Sequence, residues 1–207
     1  MRPLGERDSL ATVFTADYGL MRGVMRAAQV AKKNRPLLGQ VGAVSWMARL
    51  DSQLGAFHWE AEKNLAAQLM LNPRALMLMN SAFALLTALL AEREAFPDLY
   101  SKTRDMLAAL ADNDAPDNIY LSWEVELLRH AGYALNLTRC SGCGATSDLN
   151  FLSPRTGRAV CDTCAAPYAG RLYRLPLGLE ITLKFIEGAC AQQGAAVPVA
   201  RTFIARK

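Results

Sequence analysis

The sequence predicts a multidomain α+β protein, in which an OB-like β-barrel at residues 1–63 precedes an α-helical domain at residues 64–207. Three observations predict this class. Short β-prone runs fill the first region, helix-length apolar segments dominate the second, and two cysteine pairs interrupt the helices at about residues 139–169. With 207 residues, 52% hydrophobic and 20% charged, the chain is long enough and apolar enough to bury a real core.

Four β-prone runs make up the first region. They span Leu10–Thr15, Leu20–Arg26, Val41–Ala48 and Leu54–Glu60. Asp17, Tyr18 and Gly19 supply a turn between the first two runs, which favours antiparallel pairing. Alternate residues of a strand share a face, so Arg22 and Arg26 are expected on one surface. We interpret the region as a small antiparallel barrel or sheet with a basic surface.

The basic residues of this region are clustered. From Gly19 to Leu50 the chain contains no Asp or Glu. Six positive charges lie there: Arg22, Arg26, Lys32, Lys33, Arg35 and Arg49. Net charge is +3 for residues 1–63, −4 for 64–138 and +5 for 139–207, so the ends are basic and the middle is acidic. Such a stripe is typical of a phosphate-binding surface, and we predict a nucleic-acid site there; the alternative is a solvated surface whose charge is incidental.

Aromatic residues accompany the basic stripe. Five are available for stacking on bases: Phe14, Tyr18, Trp46, Phe57 and Trp59. An OB-like barrel combines a charged groove with such side chains to hold single strands. Phe57 and Trp59 alternate onto one face of their strand, so we expect most of the five to belong to the core and one or two to stack on bases.

The second region has helical character. Helices are predicted over Ala75–Arg93, Asp98–Ala111, Asn118–Tyr133 and roughly Gly178–Cys190. Pro73 and Pro97 lie just before the first two helices, where proline costs no internal hydrogen bond. The apolar stretch Ala75–Ala91 allows either a membrane helix or a buried helix of a bundle, and its interruption by Asn80, Ser81 and Thr87 favours the bundle. With no signal peptide or lipidation motif, the protein is expected in the cytoplasm and not in a membrane.

The most specific motif is the cysteine quartet. Cys140, Cys143, Cys161 and Cys164 form two C-x2-C pairs separated by seventeen residues. Residues Ser153–Gly157 form a turn-prone stretch between two short β-prone runs, so a hairpin can bring the pairs together on one tetrahedral ion. We predict one structural Zn²⁺ in a ribbon, because four thiolates leave no coordination position for water or substrate.

Three other roles of these cysteines fit the sequence less well than a structural metal site. Two disulfides or a C-x-x-C redox pair are the alternatives, and a reducing cytosol and the absence of a βαβ pattern argue against them. His58-Trp59-Glu60 with a later C-x-x-C superficially fits a zinc nucleobase deaminase, but neither cysteine pair follows a proline and two pairs saturate the metal. Cys190 lies in an apolar helical run and is expected in the core.

The chain also resembles a known family. The segment Arg2–Asp8 is similar to the R-x-x-G-E-x-D opening of the DNA repair protein RecO family. Further similarities follow in family order. They are Thr15 and Gly19, Arg49-Leu50 with Leu54-Gly55 and Glu60, Glu92–Glu94 with Pro97 and Leu99-Tyr100, Trp123–Leu128 before Gly132-Tyr133, and Ser153–Val160 at the cysteines. The resemblance runs from about Arg2 to Cys190, and the order of the pieces is what makes it specific.

The resemblance implies a recombination mediator and not an enzyme. Family members act in DNA repair and homologous recombination, bind single- and double-stranded DNA and anneal complementary strands. They load the recombinase together with RecR and contact the C-terminal tail of single-strand binding protein. The implied partners are therefore nucleoid DNA and these two proteins, with no small-molecule substrate. The basic stripe is the candidate DNA surface, and Arg155, Arg158, Arg171 and Arg174 are a candidate second one.

One departure from the family concerns the first strand. Family members carry a strand before the R-x-x-G-E-x-D stretch, whereas Met1 directly precedes Arg2 here. We expect the first barrel strand to be missing, because four runs are counted where an OB-fold has five strands. Either the sequence begins at an internal start or the barrel has an open edge. A second hypothesis is a zinc-stabilised protein adaptor without direct DNA binding, in which the acidic helical domain docks partners.

Overall fold

The computed structural model describes residues 1–5, 8–26, 36–50, 53–110 and 115–205. It is a mixed α+β chain with a strand sheet at the N-terminus and helices after it, which confirms the predicted class. The chain divides into two compact units. The first comprises Met1–Asn80 with Leu90–Pro116, and the second Ser81–Leu89 with Asp117–Lys207, so one long helix contributes residues to both.

The first unit is built on a five-stranded sheet. Its strands are β1 (Arg2–Leu4), β2 (Asp8–Thr15), β3 (Gly19–Met25), β4 (Gln40–Met47) and β5 (Gly55–Asn64). They lie in the order β1-β2-β3-β5-β4, and every pair is antiparallel except the short parallel pair of β3 with β5. Among the described residues β1 and β4 are the sheet edges and do not pair, so a closed barrel is not formed.

The strand count differs from the sequence prediction by one. The four predicted runs fall on β2 to β5, and the structure adds β1, a three-residue piece that pairs with the start of β2. This strand has three residues and all of them are exposed, so its sequence shows no alternation of apolar and polar side chains. The sequence pattern therefore did not predict it. This strand lies within the R-x-x-G-E-x-D stretch Arg2–Asp8 and not before it, so the absence of a preceding strand stays a prediction.

One face of the sheet carries a small core. Its buried members are Ala11, Met21, Met25 and Phe57, with Val13, Val44, Trp46 and Trp59 packed against them. Phe57 is 1% exposed, and its neighbour Trp59 lies on the same face, as predicted. A Cβ on Gly55 would lie 2.3 Å from the Trp46 ring, so this glycine lets the indole lie flat against the strand.

Helices complete the first unit. They are α1 (Leu65–Leu69), the start of α2 (Pro73–Leu89) and α3 (Pro97–Ala109). Asn64 caps α1 by accepting from the backbone N–H of Ala67 at 3.1 Å, and proline begins both α2 and α3, as predicted. Phe14 of β2 meets Tyr100 of α3 edge-on, with ring centroids 5.6 Å apart, which joins sheet and helix.

The second unit packs three further helices around the end of α2. They are α4 (Pro116–His130), α6 (Leu179–Gln192) and α7 (Val199–Ile204). The predicted helices are confirmed with ends shifted by one to four residues, and Cys190 is buried in α6, as expected. No helix in the described part of the chain, α2 included, has the length and apolarity to span a bilayer, so the membrane alternative finds no support.

A buried polar network ties these helices together. Glu124 of α4 accepts hydrogen bonds from the Arg201 guanidinium, and both side chains are fully buried. Thr182 also donates to Glu124 at 2.5 Å, and Arg201 donates to the Leu179 carbonyl at 2.7 Å. Tyr120 donates to Glu124 at 3.1 Å, and burial followed by the Glu124 charge raises the pKa of its phenol. The network anchors α4, α6 and α7 to one another.

Candidate metal centre and nucleic-acid surface

The four cysteines lie in a small module of the second unit. Its strands are β6 (Phe151–Leu152), β7 (Ala159–Val160) and β8 (Tyr173–Arg174) in the order β7-β6-β8, and the short helix α5 (Asp162–Ala165) runs into a 3-10 turn. The predicted turn is present: the Ser153 N–H donates to Arg158 at 2.9 Å, and Gly157 adopts a positive φ of 63°. This hairpin brings the two cysteine pairs to one place.

The sulfur geometry fits a single tetrahedral ion. The Sγ atoms of Cys140, Cys143, Cys161 and Cys164 all lie within 4.8 Å of one another. Cys143 and Cys161 are 3.7 Å apart, close to the edge of about 3.8 Å that follows from Zn–S bonds of about 2.3 Å. All four cysteines are free thiols, so the disulfide alternative is not supported. The cluster could hold a metal ion, and its donor set suits zinc.

The backbone prepares this cluster for thiolate charge. Cys140 Sγ accepts from the N–H groups of Gly142 at 3.4 Å and Cys161 at 3.3 Å. The backbone hydrogen bonds from Cys161 and Cys143 lower the pKa of Cys140 to about 6, whereas sharing with the other three thiols raises the pKa of Cys164 to about 12. Four anionic sulfurs cannot coexist at this spacing unless a cation compensates them, which is the chemistry a metal ion supplies.

Two glycines shape the loop around the sulfurs. A Cβ on Gly142 would lie 3.0 Å from Cys164 Sγ, and Gly144 has a positive φ of 80°. A side chain at the first position would press on a ligand, and an L-residue at the second would be strained. Both glycines therefore belong to the construction of the centre.

The module is packed firmly on its own unit. Leu152 and Ala159 are fully buried on one face of the small sheet. On the same face Tyr173 meets Phe185 of α6 edge-on, with centroids 6.1 Å apart. The opposite face, with Phe151 and Val160, packs around the cysteines. The ribbon thus braces α6 on one side and encloses the sulfurs on the other.

Three predicted DNA-binding residues are exposed in the first unit. Arg22 lies on β3, Arg26 just after it, and Arg49 in the connection between β4 and β5. The other three, Lys32, Lys33 and Arg35, lie outside the described residues. Arg22 donates from Nε to Glu92 Oε1 at 2.5 Å, and about half of each side chain remains exposed. Its charge is therefore partly compensated within the protein.

Of the five candidate stacking residues, four take part in packing. Phe14 contacts Tyr100, and Trp46, Phe57 and Trp59 belong to the sheet core. Tyr18, in the turn between β2 and β3, is 66% exposed. This agrees with the expectation that most of the five are core residues, and it leaves Tyr18 as the aromatic side chain available to a base.

Comparison with known proteins identifies the family. Residues 70–193 match the family described as recombination protein O C terminal. The DNA repair protein RecO of Jannaschia sp. is 40% identical over 183 residues, which cover 87% of this chain and 74% of the relative. The RecO of Rhodospirillum centenum is 37% identical over 221 residues, covering 97% of this chain and 88% of that protein. The chain belongs to the RecO family.

Family membership places the cysteines and the basic stripe on shared sequence. All four cysteines lie within the matched C-terminal region. RecO of Dinoroseobacter shibae, 41% identical over 179 residues, covers 85% of the chain and is likewise named a DNA repair protein. The deaminase alternative loses its support, because the metal-ligand cluster among the described residues contains four cysteines and no histidine, while His58 lies 3.4 Å from Glu60.

Sequence reasoning missed one functional-looking segment of this RecO protein. It predicted that the helix α2 would continue to Arg93, but α2 ends at Leu89 and Glu92 forms a backbone bridge with Leu20 of β3. Arg93 has a positive φ of 62°, and its guanidinium lies 4.9 Å from the centre of the Trp46 ring. The residues Glu92–Glu94, here called the strap, thus cover part of the β3 surface.

Glycine makes the strap possible. Gly19 has a positive φ of 60°, and a Cβ there would lie 1.7 Å from the Glu94 carbonyl oxygen. The Arg93 N–H donates to the Leu20 carbonyl at 2.9 Å, and the Trp46 indole donates to the Arg22 carbonyl at 3.2 Å. The sequence signal for this contact was weak: Glu92 and Glu94 are acidic and the stripe between Gly19 and Leu50 is basic. Opposite charge alone does not specify which residues meet.

Proposed function

We propose that this RecO protein is a recombination mediator that binds single- and double-stranded DNA without sequence specificity and promotes the annealing of complementary strands. The observation that carries the proposal is the identity of about 40% with DNA repair proteins named RecO over most of the chain. Exposed basic residues on the N-terminal sheet support it, since phosphate contacts bind and position DNA without reading its bases.

The sheet supports an OB-like platform for DNA. Its order, with β3 beside β5 and β5 beside β4, is that of an OB-fold opened between the first and fourth strands. In such folds oligonucleotides lie on the second and third strands and on the loop between the fourth and fifth strands. Arg22 on β3 and Arg49 in the β4–β5 connection occupy those two positions, and Tyr18 lies at the start of β3.

We further propose that Cys140, Cys143, Cys161 and Cys164 hold one structural zinc ion. When bound, the ion compensates the thiolate charges and fixes the hairpin, and four sulfurs leave it no open position for catalysis. The mediator role requires no covalent chemistry. Annealing needs two like-charged strands to approach, and a basic surface lowers their repulsion.

The proposed partners follow from the mediator role. RecR and the C-terminal tail of single-strand binding protein are expected to join the DNA complex, so that the mediator reaches strands that are already coated and then loads the recombinase. Binding of a labelled tail peptide and of RecR to the full chain, each measured separately from DNA binding, tests these two partners. Absence of both interactions would leave a DNA-annealing protein without the mediator role.

Salt dependence tests DNA binding itself. If about five phosphates are neutralised, affinity for a 20-nucleotide single strand should fall about 100-fold between 50 and 200 mM salt. This follows from the salt slope, the fall of log affinity with log salt concentration, which is about 0.7 per phosphate contact on a single strand. The same measurement on R26Q/R49Q should give a shallower slope. Undetectable binding, or binding that salt does not change, would favour the zinc-stabilised adaptor instead.

A further inference from the structure

The zinc module carries five arginines that have no acidic partner among the residues that the structure describes. They are Arg139, Arg155, Arg158, Arg171 and Arg174, and all five are exposed. Ion pairs of the second unit join other residues, and none of these five forms one with a described carboxylate. The two acidic residues of the module are engaged elsewhere: Asn150 donates to Asp162 at 3.0 Å, and Ser147 donates to Asp148 at 3.1 Å.

Strand register places two of these arginines on one face. Phe151 of β6 lies opposite Val160 of β7 and Arg174 of β8. Two residues after Phe151, the Ser153 N–H donates to the Arg158 carbonyl oxygen across the hairpin. Arg158 itself lies two residues before Val160. Because alternate residues share a face, Arg158 and Arg174 lie on the side of the small sheet that also packs around the cysteines, about 12 Å apart from strand spacing and rise, and both side chains are exposed there.

The Arg174 side chain is held in place by an aromatic ring. The Arg174 guanidinium lies 5.6 Å from the centre of the Phe151 ring, and this ring is almost wholly buried against the cysteine cluster. Stacking fixes the side chain and leaves its N–H groups to meet an anion. Tyr168, in the 3-10 turn of the same module, is 51% exposed and offers a ring on which a base can stack.

We propose that this face of the zinc module is a second nucleic-acid backbone site, separate from the basic surface of the N-terminal sheet. Arg158 and Arg174 bind phosphates of a single strand there, and the zinc ribbon fixes their separation. The inference rests on the proposed annealing function and gives it a physical basis, because annealing by one chain requires places for two strands.

A competing role for these arginines is to compensate the metal centre. Four thiolates around one Zn²⁺ carry a net charge of −2, and nearby guanidinium groups would stabilise it. The backbone N–H groups of Gly142 and Cys161 already solvate Cys140 Sγ, and Arg174 lies on Phe151. Compensation predicts that removing the arginines weakens zinc retention and leaves DNA affinity unchanged.

The test compares three charge-matched double variants of the full chain. R158Q/R174Q removes the proposed site, R26Q/R49Q weakens the N-terminal surface, and R129Q/K184Q removes two exposed charges of the second unit that are ion-paired with Glu126 and Glu187. Binding of a labelled 20-nucleotide single strand is measured by anisotropy from 50 to 200 mM salt, with zinc content determined for each variant.

The expected result is specific. R158Q/R174Q lowers the salt slope by about 1.4, which makes the fall in affinity from 50 to 200 mM about sevenfold smaller, and it keeps its zinc. R129Q/K184Q keeps the slope of the unaltered chain. Protection of Arg158 and Arg174 from phenylglyoxal by the single strand, also in R26Q/R49Q, is expected as a readout that needs no substitution at the site.

Other outcomes separate this inference from the proposed function. If only R26Q/R49Q lowers the slope, DNA binding by the N-terminal surface stands and the second site is overturned. If only R158Q/R174Q lowers it, the second site stands and the N-terminal assignment fails. Loss of zinc from R158Q/R174Q with an unchanged slope assigns the arginines to the metal centre and overturns the site. No binding by the unaltered chain rejects both proposals.

Discussion

Single residues in this RecO protein place opposite charges next to each other on the N-terminal sheet. Arg22, the central basic residue of β3, donates to Glu92 at 2.5 Å while both side chains stay about half exposed. Such a pair contributes at most about 1 kcal/mol to stability, so a phosphate can compete with the carboxylate for the guanidinium. If Arg22 contacts DNA as proposed, Glu92 competes with the phosphate for its guanidinium and lowers the affinity at this position.

This gives a residue-level prediction for E92Q. Removing the carboxylate frees Arg22, so the salt slope for single-strand binding should rise by about 0.7 and affinity should increase a few-fold. The free energy of unfolding should change by less than about 1 kcal/mol. E94Q is the matched control, because Glu94 contacts Gly19 through its backbone. Equal effects of both substitutions would show a general change of charge and not the release of Arg22.

The buried pair of Arg201 and Glu124 should behave differently. Both side chains are fully buried, so removing Arg201 would leave the buried Glu124 carboxyl group without its partner. R201M should therefore lower the free energy of unfolding by about 3 to 5 kcal/mol in urea titrations. K184M, which breaks the exposed pair with Glu187, should cost less than about 1 kcal/mol. Similar losses for the two variants would contradict the role given to the network.

Elements differ in how well the sequence predicted them. Helices α2, α3, α4 and α6 were predicted because local periodicity is enough to identify a helix, and Pro73 and Pro97 mark the starts of the first two. The cysteine ribbon was predicted because its ligands are close in sequence and their spacing restricts the metal. These features depend on local information, and the structure confirms them.

Elements that depend on distant contacts were not predicted. The strap required Gly19, Leu20 and Trp46 to contact residues 92–94, which are distant in the sequence, and nothing in the local composition specifies these contacts. The partner of Glu124 was not predicted for the same reason, since Arg201 lies 77 positions further along the chain. The charge stripe was read correctly as exposed at Arg22, Arg26 and Arg49, but the acid that partly compensates Arg22 was not anticipated.

The cysteine ribbon should require zinc in order to fold. C143S and C161S should lose the single zinc per chain and unfold the ribbon, because structural zinc contributes about 10 to 16 kcal/mol in isolated modules, comparable with the stability of a whole domain. Metal content and near-ultraviolet circular dichroism measure this. C190S is the control, since Cys190 lies in α6 away from the cluster. Full folding of both zinc-ligand variants without metal would reject a structural role.

At the scale of the whole molecule, the proposed function depends on charge arranged over two compact units. The N-terminal unit presents basic residues on its five-stranded sheet, and the second presents exposed arginines on the cysteine module that have no ion-pair partner among the described residues. Each unit has its own core and its own candidate DNA surface. In the proposed function, each surface binds one strand through its phosphates, and the positive charge lowers the repulsion between the two strands during annealing.

The most direct test of this account is annealing of complementary strands coated with single-strand binding protein. The full chain should accelerate annealing at 50 mM salt and lose most of the effect by 200 mM. R26Q/R49Q and R158Q/R174Q should each slow annealing, while R129Q/K184Q should match the unaltered chain. Annealing no faster than without the protein, or equal rates for all three variants, would contradict the claim that this RecO protein is a DNA-annealing mediator.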